Sequence, residues 1–217
     1  MSGYDYIRDP AEIYRESFRR IREAADLSAL PETLQPLARR LIHAVGRPEV
    51  ADALAWSEGA LEAGRAALER GAPVLVDSKM VAAGIVRARL PAGNDVLCLL
   101  DAPGVVGTAA RRGTTRSAAQ VDYWRPWLDG AVVAIGNAPT ALFALLEAVE
   151  AGGPKPALVL GMPVGFVGAS ESKHALIDAA ERLGLPYVAV TGREGGSALA
   201  AAAVNALALG NPEEAGS

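Results

Sequence analysis

The sequence predicts an α/β fold: an open, mostly parallel sheet of about five strands flanked by helices, preceded by a helical N-terminal segment. Two observations carry this. From Pro73 onward the chain repeats a unit of short apolar run, glycine-containing loop and helical stretch. Those runs are rich in Val, Leu and Ile without polar alternation, the pattern of parallel strands covered on both faces. Ahead of Pro73, by contrast, apolar residues recur at helical spacing and no strand pattern is visible. At 217 residues and 51% hydrophobic, the chain suits a single domain over 1–217 with a full-sized core.

In order, Pro10 opens a first helix, on which Ile13, Tyr14, Phe18, Ile21 and Ala25 form the apolar stripe. A second helix is expected from Glu32 to Val45, stopped by Gly46 with Pro48 just beyond. A third amphipathic stretch is expected from Pro48 to Arg70, ending at Gly71. The strand runs then follow at 73–77, 96–100, 131–136, 157–161 and 187–192, with right-handed crossovers between them. Segment 101–130, with Pro103, Gly104, Gly107 and Gly113, reads as a long irregular excursion.

Composition excludes several classes of function. A net charge of −4 without a basic block argues against a nucleic-acid partner. One cysteine, Cys98, rules out an intrachain disulfide and a multi-thiolate zinc site, and with only His43 and His174 a histidine metal cage is excluded too. The opening MSGYDYIRDP has no apolar run, so no signal peptide is expected. The longest apolar tract, Ala198 to Leu209, is too short to span a bilayer. A cytoplasmic protein without membrane association is expected.

In an open parallel sheet, ligands bind beyond the carboxyl ends of the strands. Three loops fall there: Gly136-Asn137-Ala138-Pro139, with Asn137 as the expected N-cap; Gly161 to Gly168, before a helix capped by Ser170 and carrying Lys173; and Thr191 to Ser197, with Gly192 and Arg193. Each would present unpaired backbone N–H groups at a helix start, an anion site, to which Arg116, Lys173 and Arg193 add charge. Glycines after strands also serve tight turns with no ligand at all. None of the loops matches a Walker A sequence or the dinucleotide fingerprint.

His43 stands out on the second helix. At 100° per residue it falls about 180° from Leu34, off the apolar stripe and near Arg39 and Arg40. It also sits one turn from the helix C-terminus, where the dipole favours the imidazolium, so a general acid is one reading and a solvated surface histidine the other. His174 reads as a surface residue. Ser17 lies about 50° from the centre of the first helix's stripe, the edge of a pocket or a hydroxyl bonded to its own helix. Cys98, inside an apolar run, reads as an inert buried thiol.

Taken together, Ile13-Tyr14-Arg15-Glu16-Ser17-Phe18, Leu41-Ile42-His43-Ala44-Val45-Gly46, Thr114 to Ala119, GNAPTALF at 136–143, GMPVGFVGASESK at 161–173 and Val190 to Ser197 resemble the precorrin-8X methylmutase family. Asp77, Met80 and Gly84 fit as well, and the likeness runs in order from about residue 4 to 209. The resemblance implies an isomerase of cobalamin biosynthesis, moving a methyl group from C-11 to C-12 of precorrin-8X to give hydrogenobyrinic acid, or of cobalt-precorrin-8 to give cobyrinic acid. It implies a homodimer, no cofactor, His43 as proton donor/acceptor and Ser17 as a substrate-binding position. The macrocycle's fringe of acetate and propionate groups suits Arg116, Lys173, Arg193, Asn137 and Gly192. Two other functions are weighed against it: a tetrapyrrole-binding carrier without turnover, and a nucleotide-binding α/β enzyme.

Overall fold

The structure, a computed structural model, describes residues 4–209. Asp9 caps helix α1 (Pro10–Ala24) by accepting the Glu12 N–H, and Pro10 takes the first helical position. Helix α2 (Gln35–Val45) starts three residues later than the sequence pattern suggests, because Pro31 to Leu34 form turns. Gly46 ends α2 in the left-handed conformation at φ 67°, which a glycine adopts without a Cβ penalty.

The stretch 48–70 is not one helix. It divides into a 3-10 turn (Pro48–Ala51), strand β1 (Leu54–Trp56) and helix α3 (Ala60–Glu69). Three residues of strand leave no periodicity to read, and β1 exists through its antiparallel pairing with a strand near the far end of the chain, Leu54 opposite Val190. The expected runs supply β2 (Val74–Val76), β3 (Val96–Leu97), β4 (Val132–Ile135), β5 (Leu158–Gly161) and β6 (Tyr187–Val190). The sheet thus has six strands in the order β1-β6-β5-β4-β2-β3, parallel throughout except at β1.

Between the strands lie α4 (Lys79–Gly84), α5 (Val105–Arg112), α6 (Arg116–Trp124), α7 (Pro139–Glu150), α8 (Ala169–Leu183) and α9 (Ser197–Leu209). Segment 101–130 is therefore largely helical, with Gly104 and Gly113 at the two ends of α5. The sheet is covered on both faces. Val74, Val76, Leu158 and Leu160 face a core shared with α2, α3 and α9. Leu75, Val133, Ile135 and Val159 face a second core built with α6, α7 and α8. That double burial is the reason the strands read as unbroken apolar runs. Cys98 follows the two-residue β3 instead of lying within it, and is half-buried; burial pushes its thiol above the ordinary range. No helix among the described residues is long and apolar enough to cross a membrane.

Candidate active site

Ser17 and His43 belong to helices α1 and α2, and the packing of those helices brings them together: Ser17 Oγ lies 2.9 Å from His43 Nδ1. The ring is held from its side as well. Phe18, buried between the helices, stacks on the imidazole at 5.1 Å with an 18° tilt, and Tyr14 packs on Phe18 at 4.6 Å. A hydroxyl both donates and accepts, so Ser17 can hold Nδ1 whether or not that nitrogen carries a proton. His43 is exposed, as its place off the apolar stripe predicts, and forms part of the wall of two adjoining grooves. One, of about 220 Å³, also has Ser17, Arg20 and Gly46; the other, of about 290 Å³, has Arg40, Ala198, Ala201 and Asn205.

The charge state differs from the sequence reading. Partial burial, and then the nearby Arg40 guanidinium, hold the imidazole below its ordinary value of 6.5. Both act against the helix C-terminus, which favours the imidazolium. Arg40 itself is 8% exposed rather than solvated, because α1 covers it. Its Nη2 donates to Tyr14 Oη at 2.7 Å, and its guanidinium lies 5.6 Å from both the Tyr14 and Phe18 rings. On the helical wheel Arg40 lies near His43, off the apolar stripe, and that spacing of three residues is the only sign of it in the sequence.

The strand-end loops lie where the topology predicts, yet their amides are not all free. The N–H groups of Gly136, Asn137 and Ala138 are accepted by the buried Asp77 carboxylate at 2.6–2.9 Å. Burial pushes the Asp77 carboxyl above its ordinary range, while these three donors pull the other way. Asn137 is exposed and does not cap α7; Ala138 holds the N-cap position, and Asp77 supplies the acceptor that the sequence reading assigned to Asn137. Likewise Ser170 lies inside α8, whose N-cap is Gly168.

Lys173 is turned inward. It is wholly buried, its Nζ donates to the Glu194 carbonyl oxygen at 2.6 Å, and burial lowers it from 10.5 to about 8. It braces the 191–197 loop instead of presenting a charge to a ligand. Arg193 is exposed, its guanidinium 5.3 Å from the Phe166 ring, next to Gly192 at φ 70°. The loops after β5 and β6 are locked together: Gly165 N–H bonds the Arg193 carbonyl, Gly196 N–H bonds the Met162 carbonyl, and a Cβ on Gly195 would fall 2.3 Å from Met162 O. Arg193 shares a groove of about 280 Å³ with Val45, Arg47 and Phe166, at the end of the helix that carries His43. Arg116 is exposed at the first position of α6, beside the start of α7, where Thr115 and Thr140 hydroxyls meet at 2.7 Å. His174 is on the surface, as expected. Among the described residues no three or more His, Cys, Asp or Glu side chains converge as a metal site.

The family model for precorrin-8X methylmutase matches residues 12–209. The chain belongs to the precorrin-8X methylmutase family. It is 58% identical over 204 residues to a precorrin-8X methylmutase of Pseudomonas aeruginosa, covering 94% of this chain and 97% of that protein. It is 54% identical over 208 residues to one from a Sinorhizobium species, covering 96% and 98%. The crystal structure of the precorrin-8X methylmutase from Thermus thermophilus superposes with a TM-score of 0.83 at 43% identity, over 94% of this chain and 97% of that one. Relatives named cobalt-precorrin-8 methylmutase, such as that of Salmonella typhimurium at 38% over 210 residues, are more distant. As a methylmutase, the chain is an isomerase of cobalamin biosynthesis that catalyses a methyl migration.

Proposed function

We propose that the chain converts metal-free precorrin-8X to hydrogenobyrinic acid, moving the methyl group from C-11 to C-12, with His43 as the proton donor and acceptor. The observation that carries this reading is the 2.9 Å pair of Ser17 Oγ and His43 Nδ1, on a ring clamped by Phe18 and bordering two grooves. The imidazolium gives its Nε2 proton to the conjugated macrocycle, the methyl group shifts within the cation so formed, and the same nitrogen takes a proton back. Substrate and product are isomers, so the balance needs no electron carrier or co-substrate. One general acid of this kind typically contributes ~10²–10⁴-fold in rate. Arg116, Arg193 and backbone amides around Gly192 hold the carboxylate fringe.

The metal-free substrate is favoured because relatives named for precorrin-8X are 54–58% identical, whereas the Salmonella typhimurium enzyme named for the cobalt form is 38% identical. The proposed setting is the cytoplasm, as a homodimer. Incubation with precorrin-8X, followed by visible spectroscopy of the corrin chromophore, tests the activity, and cobalt-precorrin-8 in parallel tests the metal preference. His43→Ala should lose turnover while keeping fold and product affinity. A folded His43→Ala enzyme running at near-wild-type rate overturns the assignment.

A further inference from the structure

Arg40 carries a charge without a counter-ion. More than nine-tenths buried, it has an unpartnered buried Nε and a single hydrogen bond, from Nη2 to Tyr14, and no carboxylate pairs with it among the described residues. The other arginine beside His43 is different: Arg20 Nε is bonded to Glu16 at 2.7 Å. A buried, unpaired cation is costly, and burial accordingly lowers Arg40 from its ordinary range. Arg40 borders the 290 Å³ groove together with His43, and the macrocycle expected there is fringed with carboxylates.

We propose that a substrate carboxylate seats on Arg40, and that this pairing couples binding of the macrocycle to protonation of His43. After burial, the larger cause, it is the neighbouring guanidinium that disfavours a proton on the imidazole. A carboxylate on Arg40 cancels that repulsion, so the imidazole takes up a proton as the ligand arrives. Among the described residues no other charge near His43 does this job. From α1 it meets Tyr14, Ser17 and Phe18, with Arg20 held by Glu16; from α9 the groove has only alanines and Asn205; Arg89 is a second cation that bears on Arg40. The coupling rests on His43 being the proton donor proposed above, and it adds a reason why that donor is charged only when the substrate is present.

The test is calorimetric binding of hydrogenobyrinic acid at pH 7–7.5 in buffers of differing ionisation enthalpy, which reads the protons taken up per ligand. Wild type should take up protons, and His43→Asn should lose that uptake. Arg40→Gln, which keeps a donor for Tyr14, should lose it too and bind roughly ten- to a hundredfold more weakly, the loss of a hydrogen bond to a charged group. Should Arg40→Gln not fold, wild type with the fully amidated product carries the same expectation of no uptake. Uptake lost in His43→Asn but intact in Arg40→Gln, or with the amidated product, overturns the proposal. So does uptake that persists in His43→Asn. Absent uptake in wild type, with turnover still abolished in His43→Asn, overturns the coupling alone and leaves His43 as the donor.

Discussion

Lys173 and Glu194 are joined by a buried ammonium-to-carbonyl hydrogen bond of 2.6 Å that ties α8 to the loop after β6. Folding holds this lysine at about 8 against 10.5 in its ordinary state. Between those values the unfolded chain binds more protons than the folded one, so this residue makes stability rise with pH across that window. Lys173→Met should remove the slope. Urea unfolding at pH 8 and pH 10 checks it: the wild-type minus mutant difference should grow with pH, and parallel behaviour at both pH values would contradict it.

Ser17→Ala should lower kcat by about two- to tenfold with KM little changed, the worth of one ordinary hydrogen bond that orients the ring. Steady-state kinetics separates the two parameters. A change confined to KM would make Ser17 a ligand contact and not a support for His43.

The pH profile should follow from the lowered His43 value. If the imidazolium is the active form, kcat/KM falls as pH rises through a midpoint below 6.5, since that quantity reports the free enzyme. The break in kcat, which reports the bound state, should lie higher. Coincident breaks would show that the ligand leaves the imidazole's environment unaltered.

Asp77→Ala strips the acceptor from three buried or half-buried N–H groups at the start of α7. We expect a loss of about 3 kcal/mol or more in denaturant unfolding, from the cost of leaving such donors unsatisfied. Asp77→Asn, which retains one acceptor oxygen, should cost less.

Affinity for hydrogenobyrinic acid should fall as salt rises, because exposed charge pairs are screened within ~8–10 Å at 0.1–0.15 M. Arg116→Ala and Arg193→Ala should each weaken binding at low salt by several-fold, on the order of the ~1 kcal/mol upper range for exposed pairs. Titrations at two salt concentrations read both effects. Unaltered affinity in both variants would leave the backbone amides as the anion sites.

Much of this arrangement is written locally. Val74 and Leu75 face opposite cores, so their strand is apolar at every position and legible without any partner. His43 is one turn before Gly46, and helical geometry alone places it off the apolar stripe. What is not legible depends on distant segments. Leu54–Trp56 becomes a strand only by pairing with Val188–Val190. Asp77 meets Gly136 and Ala138 across 59 and 61 positions of sequence, so Asn137 looks like the cap until the sheet is assembled. Lys173 and Arg40 share this origin: a long basic side chain reads as solvated unless the element that covers it is known. The Ser17–His43 contact is intermediate, since each residue is visible on its own helix but the crossing of the two is not.

The close contact at Gly195 bears on how such a site can diversify. Any side chain there would collide with the carbonyl oxygens of Met162 and Pro163, so the two loops are joined backbone to backbone. No side chain placed at Gly195 can widen or reshape this strand-end edge without breaking the seam. Descendants of this chain that adapt to a differently decorated macrocycle would have to do so at outward-pointing positions such as Val164, Phe166, Val167 and Arg193, where exposed side chains can change while the frame beneath them stays fixed.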